Sequence, residues 1–443
     1  ACMECSIQNS EKGFNLSDKL CHSCYKPYSK LLKYYNISFE SFSNYGCTQN
    51  QKKILKRFIV NSSLNILKNK SFFKIHIHEH VLSTLYKHFN SPLVDLNDHK
   101  ILNIYKSYFY SAIITLISFK KFLKVNNFKY FFMHHGIYIP QGLYADYLKT
   151  QNLKFMTWHT ASNNKANGII IGHNDSYHFD QSYSSEFNNL KDKLKSNFNI
   201  INILYEKRLN FLNNKKNINN LLNSSKPVIS VFPNVYWEAF SHDKQDSDFS
   251  MIKWLESIIE FSKLNNSTIV IRIHPKENSN KINNNFDNLE DWIKSKTKDL
   301  CNIKIFDSLS NVDSYALSSI SKLSLVYSSK LSFELPALNN NVIESGNSIC
   351  NEVRINKKIK KSDALIKFLI KEINNNFEYK SDYELARKFN DYYYNHRIIK
   401  ISFLKNNNFL LPYSYNPNIL VDNLKDLHEY DKLYKKIISN QIF

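Results

Sequence analysis

Glycine and proline are scarce in this chain, seven and nine among 443 residues, and the scarcity excludes collagen-like and low-complexity architectures, which need them in bulk. Long apolar runs are missing too. The longest, Tyr108 to Phe119, is about 12 residues against the roughly 20 that span a bilayer, so it reads as a buried helix. Acidic residues are few beside basic ones, 39 against 59, which leaves a formal charge of +20. Such an excess ordinarily points to a polyanionic partner. Here the lysines are scattered among Asn, Ile, Tyr and Phe, with neither a basic arm nor an aromatic-basic RNA motif, so no nucleic-acid partner is expected. Peripheral contact with an anionic membrane remains open. Ala1 to Ser10 is polar and has no apolar signal core, so the expectation is a cytoplasmic protein, if membrane-associated then at the inner face of the cytoplasmic membrane.

What is present is a globular composition. An apolar fraction of 43% and an aromatic fraction of 14% exclude a largely disordered chain, and the length suits two domains, each with its own core. Seven cysteines occur, four of them as Cys2-x2-Cys5-x15-Cys21-x2-Cys24. Paired knuckles at this spacing suit a tetrahedral structural zinc, each knuckle presenting two thiolates to one ion. Cys47, Cys301 and Cys350 read as ordinary buried thiols.

Helical spacing runs from Gln49 to Lys68 behind Thr48 as N-cap, then near Val81 to Asn90 and Ile101 to Val125. Short apolar runs follow at Tyr130 to Met133, Phe155 to Trp158 and Gly168 to Ile171. Lys207 to Lys226 reads as a linker. Beyond it a βα rhythm restarts with strands Pro227 to Phe232, Thr268 to Ile273, Ile303 to Phe306, Leu323 to Tyr327 and Asn341 to Ile343. The domains expected are 1–30, a zinc-knuckle appendage; 31–222, an acceptor-side Rossmann-like domain; 223–400, a nucleotide-binding Rossmann-like domain; and 401–443, a helical segment packing back on the first domain.

Open α/β sheets bind ligands beyond the carboxyl ends of their strands, and the candidate residues gather there. In the second half, His274, Pro275, Lys276 and Glu277 follow one strand and Ser328 and Ser329 another. An imidazole N–H, an ammonium, and hydroxyls with backbone N–H groups at a helix start all suit phosphate. Glu334 suits ribose hydroxyls. Asn234 and Glu238, with Tyr236 and Trp237 between them, could reach hydroxyls and pack on a base or sugar. In the first half, Gly136, Gly142, Gly168 and Gly172 lie among His134, His135, His159, His173 and His178, marking an acceptor side. His135 or His159, with Asp146 and Asp175 as carboxylate alternatives, are candidates for the general base; the sequence does not rank them. The run His76-Ile77-His78-Glu79-His80 reads as a strand with three imidazoles on one face. It lacks a recognisable fourth ligand, so a polar face is the preferred reading over a metal site.

Phe232-Pro233-Asn234-Val235-Tyr236-Trp237-Glu238, Ile269 to Glu277, Ser314-Tyr315 and Val326 to Glu334 together resemble bacterial capsule and surface-polysaccharide glycosyltransferases of the GT-B fold. The resemblance covers roughly residues 130 to 350. The His-Pro and Ser-Ser pair is similar to that of bacterial sialyltransferases and Kdo transferases. Trp158-His159-Thr160 looks like an element of teichoic-acid polyol-phosphate polymerases, with Thr160 in place of a glycine. The resemblance implies an α/β protein with two Rossmann-like domains facing a cleft and a nucleotide-sugar donor, CMP-linked, bound through phosphate and ribose. It implies inverting transfer to an oligosaccharide or lipid-linked glycan without a catalytic metal. A polyol-phosphate transferase using a CDP-linked donor, and a non-catalytic glycan- or membrane-binding protein, are the alternatives.

Overall fold

The computed structural model describes residues 40, 42–89, 94–162, 167–176, 182–203, 218, 226–235, 249–265, 267–278, 289–400, 404–405 and 414–415. The four zinc-type cysteines, His178, Tyr236, Trp237 and Glu238, and nearly all of the expected C-terminal helical segment, lie outside them. Two compact units divide the chain, one of residues 1–157 and 174–176, the other of residues 158–173 and 177–443.

The first unit is chiefly helical: α1 (Gln49–Asn61), α2 (Leu64–Asn69), α3 (Ile77–Phe89), α4 (His99–Val125), then strand β1 (Phe131–His134) and α5 (Gln141–Thr150). Thr48 opens α1 with a reciprocal capping box, its hydroxyl accepting from Gln51 N and its own N–H reaching the Gln51 side chain. Of the imidazole run only His76 lies in a strand, the two-residue Ile75–His76; from Ile77 onward it is helix. Ile77, Val81 and Leu85, spaced by four, are all buried on α3, so the helical period outweighs the apparent alternation. Its histidines go to separate partners: His76 to Ser71 Oγ, His78 to Tyr105 Oη, His80 to Asp146.

The second unit takes over within β2 (Phe155–Ser162) and continues through β3 (Asn167–His173), α6 (Ser182–Leu190), β4 (Val228–Phe232), α7 (Met251–Leu264), β5 (Thr268–Arg272), α8 (Leu289–Thr297), β6 (Ile303–Phe306), α9 (Ser314–Ile320), β7 (Leu323–Val326), α10 (Leu331–Ala337), β8 (Val342–Glu344) and β9 (Lys357–Lys358), ending with α11 (Ser362–Asn374), α12 (Tyr383–Asp391), a π-turn over Tyr392–Arg397 and β10 (Ile399–Lys400). β4 to β9 form one parallel sheet in the spatial order β9-β8-β7-β4-β5-β6. This is the doubly wound arrangement, with its order reversing between β4 and β7.

Both faces of that sheet are covered, which is why β4, β5 and β7 are buried at every position. Ile229, Val231, Ile269, Ile271, Leu323 and Leu325 pack with Trp254, Leu255 and Ile258 of α7 and Leu365 and Leu369 of α11. Val228, Phe232, Val270, Val326 and Val342 pack on the other face with Tyr315 of α9, Phe333 of α10 and Phe389 of α12. The alternation follows the pleat.

Candidate functional site

The switch point between β4 and β7 is where a doubly wound sheet opens a crevice, and here it is braced by side chains. Asn234, two residues past β4, donates its Nδ2 to the carbonyl of Ser328, two residues past β7. Ser328 in turn donates its hydroxyl to the carbonyl of Asn347 beyond β8. Backbone bonds complete the brace: Ser345 N to Val326 O at 3.1 Å and Gly346 N to Tyr327 O at 2.6 Å. A Cβ at Gly346 would stand 2.7 Å from that carbonyl, so no other residue fits without a shift.

The two serines have different duties. Ser328 spends its proton on Asn347. Ser329 Oγ instead accepts from Leu331 N at 3.1 Å, which leaves its O–H as the donor for a ligand. On β9, Lys358 Nζ lies 2.6 Å from Asn347 Oδ1 and also bonds Asn351 Oδ1, while Lys360 Nζ reaches Asn347 Oδ1 at 3.2 Å. Two cations thus meet on the residue that Ser328 holds. Buried and without a hydrogen-bond partner among the described residues are Asn234 Oδ1 and Ser345 Oγ, each a polar atom that a bound molecule could satisfy. Behind them burial pushes the Glu344 carboxyl up, against the opposing pull of Ser348 and Lys358.

On the other side of β4, His274 follows β5. Lys276 N donates to its Nδ1 at 3.1 Å, so in the neutral ring the proton sits on Nε2. Pro275 and Lys276 are exposed in the single turn Pro275–Asn278. Beneath the turn Arg272 is buried, its guanidinium bonding the carbonyls of Val312 at 2.8 Å, Asp307 at 2.6 Å, Ser310 at 3.0 Å and Ile273. It fixes the loop that follows β6.

Glu334 is placed in the interior. Tyr315 Oη donates to it at 2.6 Å, and Tyr394 Oη donates to its other oxygen; burial and the Glu334 charge push the Tyr394 hydroxyl well up, so it stays protonated. The helix that opens after Ser329 is only α10, seven residues long with Pro336 inside it. Hydroxyl, imidazole and ammonium groups are therefore the main donors there, with little helix dipole behind them.

Of the four candidate bases, the first unit brings two together. Lys149 Nζ is 3.1 Å from Asp175 and 3.9 Å from Asp146, whose Oδ2 lies 2.7 Å from His80 Nε2. His80 Nδ1 donates to Ile137 O at 3.0 Å. His135 takes a left-handed conformation, φ 56°, next to Gly136 at φ 70°, a position that costs energy for a non-glycine residue. Its ring centroid is 4.0 Å from that of His134 and 5.9 Å from that of Tyr138. Burial, with Lys87 nearby, pushes the His134 imidazole down. Gly136 is required twice, by φ and by Thr157 Cγ2, which a Cβ would meet at 2.7 Å. His159 belongs to the second unit; its Nδ1 donates to Thr160 O at 2.6 Å, which puts the lone pair on Nε2.

The sequence reading passed over Lys358, Lys360, Ser345, Gly346 and Asn347. Gly346 was the available signal: a rare glycine two residues past the strand Val342–Glu344. Among the described residues no group of three His, Cys, Asp or Glu side chains could hold a metal ion. Cys301 is exposed, unlike Cys47 and Cys350, which corrects its reading as a buried thiol; it lies in the turn before β6.

Fold and rim together define an α/β protein with a doubly wound parallel sheet whose switch point is rimmed by polar groups. No protein-family model matches the chain, and no curated protein matches it. Among solved structures it is similar to the KpsC β-Kdo 2,7 transferase of Thermosulfurimonas dismutans, at 14% identity over 61% of this chain and 78% of that one, TM-score 0.29. It is similar to the UDP-GlcNAc 2-epimerase of Methanocaldococcus jannaschii in complex with UDP-GlcNAc and UDP, at 15% over 63% and 79%, TM-score 0.31. It is also similar to the sucrose-phosphate synthase of Thermosynechococcus elongatus, at 11% over 39% of this chain, TM-score 0.26, and spans 41% of that enzyme's length. Likenesses this weak add nothing to what the sheet itself establishes.

Proposed function

We propose that this chain is a GT-B glycosyltransferase of capsule or other surface-polysaccharide biosynthesis. It moves a sugar, a Kdo or nonulosonic acid from a CMP donor, to a glycan hydroxyl at the inner face of the cytoplasmic membrane. The observation that supports the proposal is the set of polar groups at the carboxyl ends of the doubly wound sheet: Ser329 Oγ after β7, His274 Nε2 after β5, and Lys358 and Lys360 on Asn347, with Asn234 Oδ1 and Ser345 Oγ buried and without partners among the described residues. The resemblance of the His-Pro and Ser-Ser motifs supports the choice of donor.

The chemistry is a single displacement. The acceptor hydroxyl oxygen attacks the anomeric carbon, the bond to the CMP phosphate oxygen breaks, and the base takes the hydroxyl proton, inverting the carbon. Charge on the departing phosphate is met by the lysines, the serine hydroxyl and the imidazole N–H. His135 and His159 are the bases proposed, His159 because its lone pair is on Nε2. The four-cysteine segment is proposed to hold a structural zinc, and metal analysis well below one zinc per chain would remove that part.

Thermal shift with CMP, CDP, UDP and GDP tests the central claim: CMP or CDP is expected to stabilise the protein, and no response to any of the four overturns the proposal. Phosphorus retained in the product would instead assign a polyol-phosphate transferase.

A further inference from the structure

We propose that the outward face of α1 docks the protein on an anionic lipid surface. From Gln49 to Lys70 the chain carries Lys52, Lys53, Lys56, Arg57, Lys68 and Lys70 and no acidic residue. At about 100° per residue, Lys56, Val60, Lys53, Arg57 and Ile54 follow one another around a single side of α1, and all are exposed. Ile59 is buried on the side facing away from them. The aliphatic members are prominently outward: Ile54 is 61% and Val60 46% exposed, as is Ile66 of α2 at 50%. Soluble helices commonly reserve such side chains for the core. Cations interleaved with exposed aliphatics suit a headgroup layer, where ammonium and guanidinium groups meet lipid phosphates and the aliphatics enter the acyl boundary. A nucleic acid would use the charges and gain nothing from Ile54 and Val60. The inference shares only the membrane location with the proposed function, and its test contains no nucleotide, so each can fail alone.

Flotation of the full chain with vesicles of phosphatidylglycerol and phosphatidylcholine, or of phosphatidylcholine alone, provides the test. Binding is expected to the anionic vesicles only, to fall at 0.5 M salt, and to fall about tenfold or more in Lys53→Glu/Arg57→Glu. Ile54→Ser/Val60→Ser is expected to weaken it severalfold while the thermal melt of both variants stays that of the native chain. Equal binding to both vesicle types, no response to charge reversal, or tighter binding of a single-stranded oligonucleotide than of the vesicles would overturn it.

Discussion

Asn234 is the residue on which the crevice turns, because its amide bridges the ends of the two strands between which the order reverses. Asn234→Ala removes a buried donor and leaves Ser328 O without it, a loss of about 1–3 kcal/mol. We expect a lower denaturant midpoint at unchanged slope and a weaker CMP-induced thermal shift. His134 sets a second prediction. Its folded pKa is lowered, so below about pH 6.5 the unfolded chain takes up a proton that the folded chain does not. Stability is complete above that pH and declines as the pH falls toward the folded value. Thermal melts between pH 7.5 and pH 5 should show the decline, and His134→Gln should flatten it.

Among elements, the π-turn and α6 are tied by a buried pair, Arg397 Nη1 to Glu186 at 2.8 Å, with Tyr392 donating to the same carboxylate and Arg397 Nη2 to Ile171 O at 2.6 Å. Removing one member leaves the other charge buried, so Arg397→Met should cost about 3–5 kcal/mol, whereas Arg397→Met with Glu186→Leu should recover part of it in the same unfolding assay. The strands β4 to β8 were legible to within one or two residues, since continuous apolar runs bounded by polar breaks admit few other readings. Illegible were features that depend on pairing across long sequence distance. β9 is two residues long, and only its place beside β8 brings Lys358 and Lys360 to Asn347. Glu334 lies at a strand-to-helix junction in sequence, yet Tyr394, sixty residues on, claims it. The imidazole run failed for another reason: a window of five residues fits a strand and a helix alike, and the buried spacing that decides is set by residues further along α3. Lys358→Ala/Lys360→Ala should weaken CMP binding about tenfold and bring it toward that of cytidine, which has no phosphate to meet.

At the scale of the whole molecule, the two compact units should respond differently to ligand. Hydrogen exchange with and without CMP is expected to show protection at residues 232–235, 273–277, 327–330, 345–348 and 357–360, while α4 is unchanged. Protection confined to the first unit would mean that the nucleotide site had been assigned to the wrong half. The spread of lysine through the sequence hid the local concentration of positive charge, because the chain's overall +20 says little about where any few charges meet.

Arg272 has a bearing on which ions the crevice admits. A strand end offers carbonyl oxygens as well as N–H groups, and an ungoverned rim would be hospitable to either sign of charge. One guanidinium occupies the carbonyls of Ile273 and Asp307 just past β5 and β6 and two more in the loop after β6, while Asn234, Ser328 and Gly346 engage those of Ser328, Asn347 and Tyr327. A sheet rim whose carbonyls are engaged in this way is expected to favour anions before any lysine is counted, and Arg272→Lys, which keeps the charge but not the fork, is expected to free some of those oxygens.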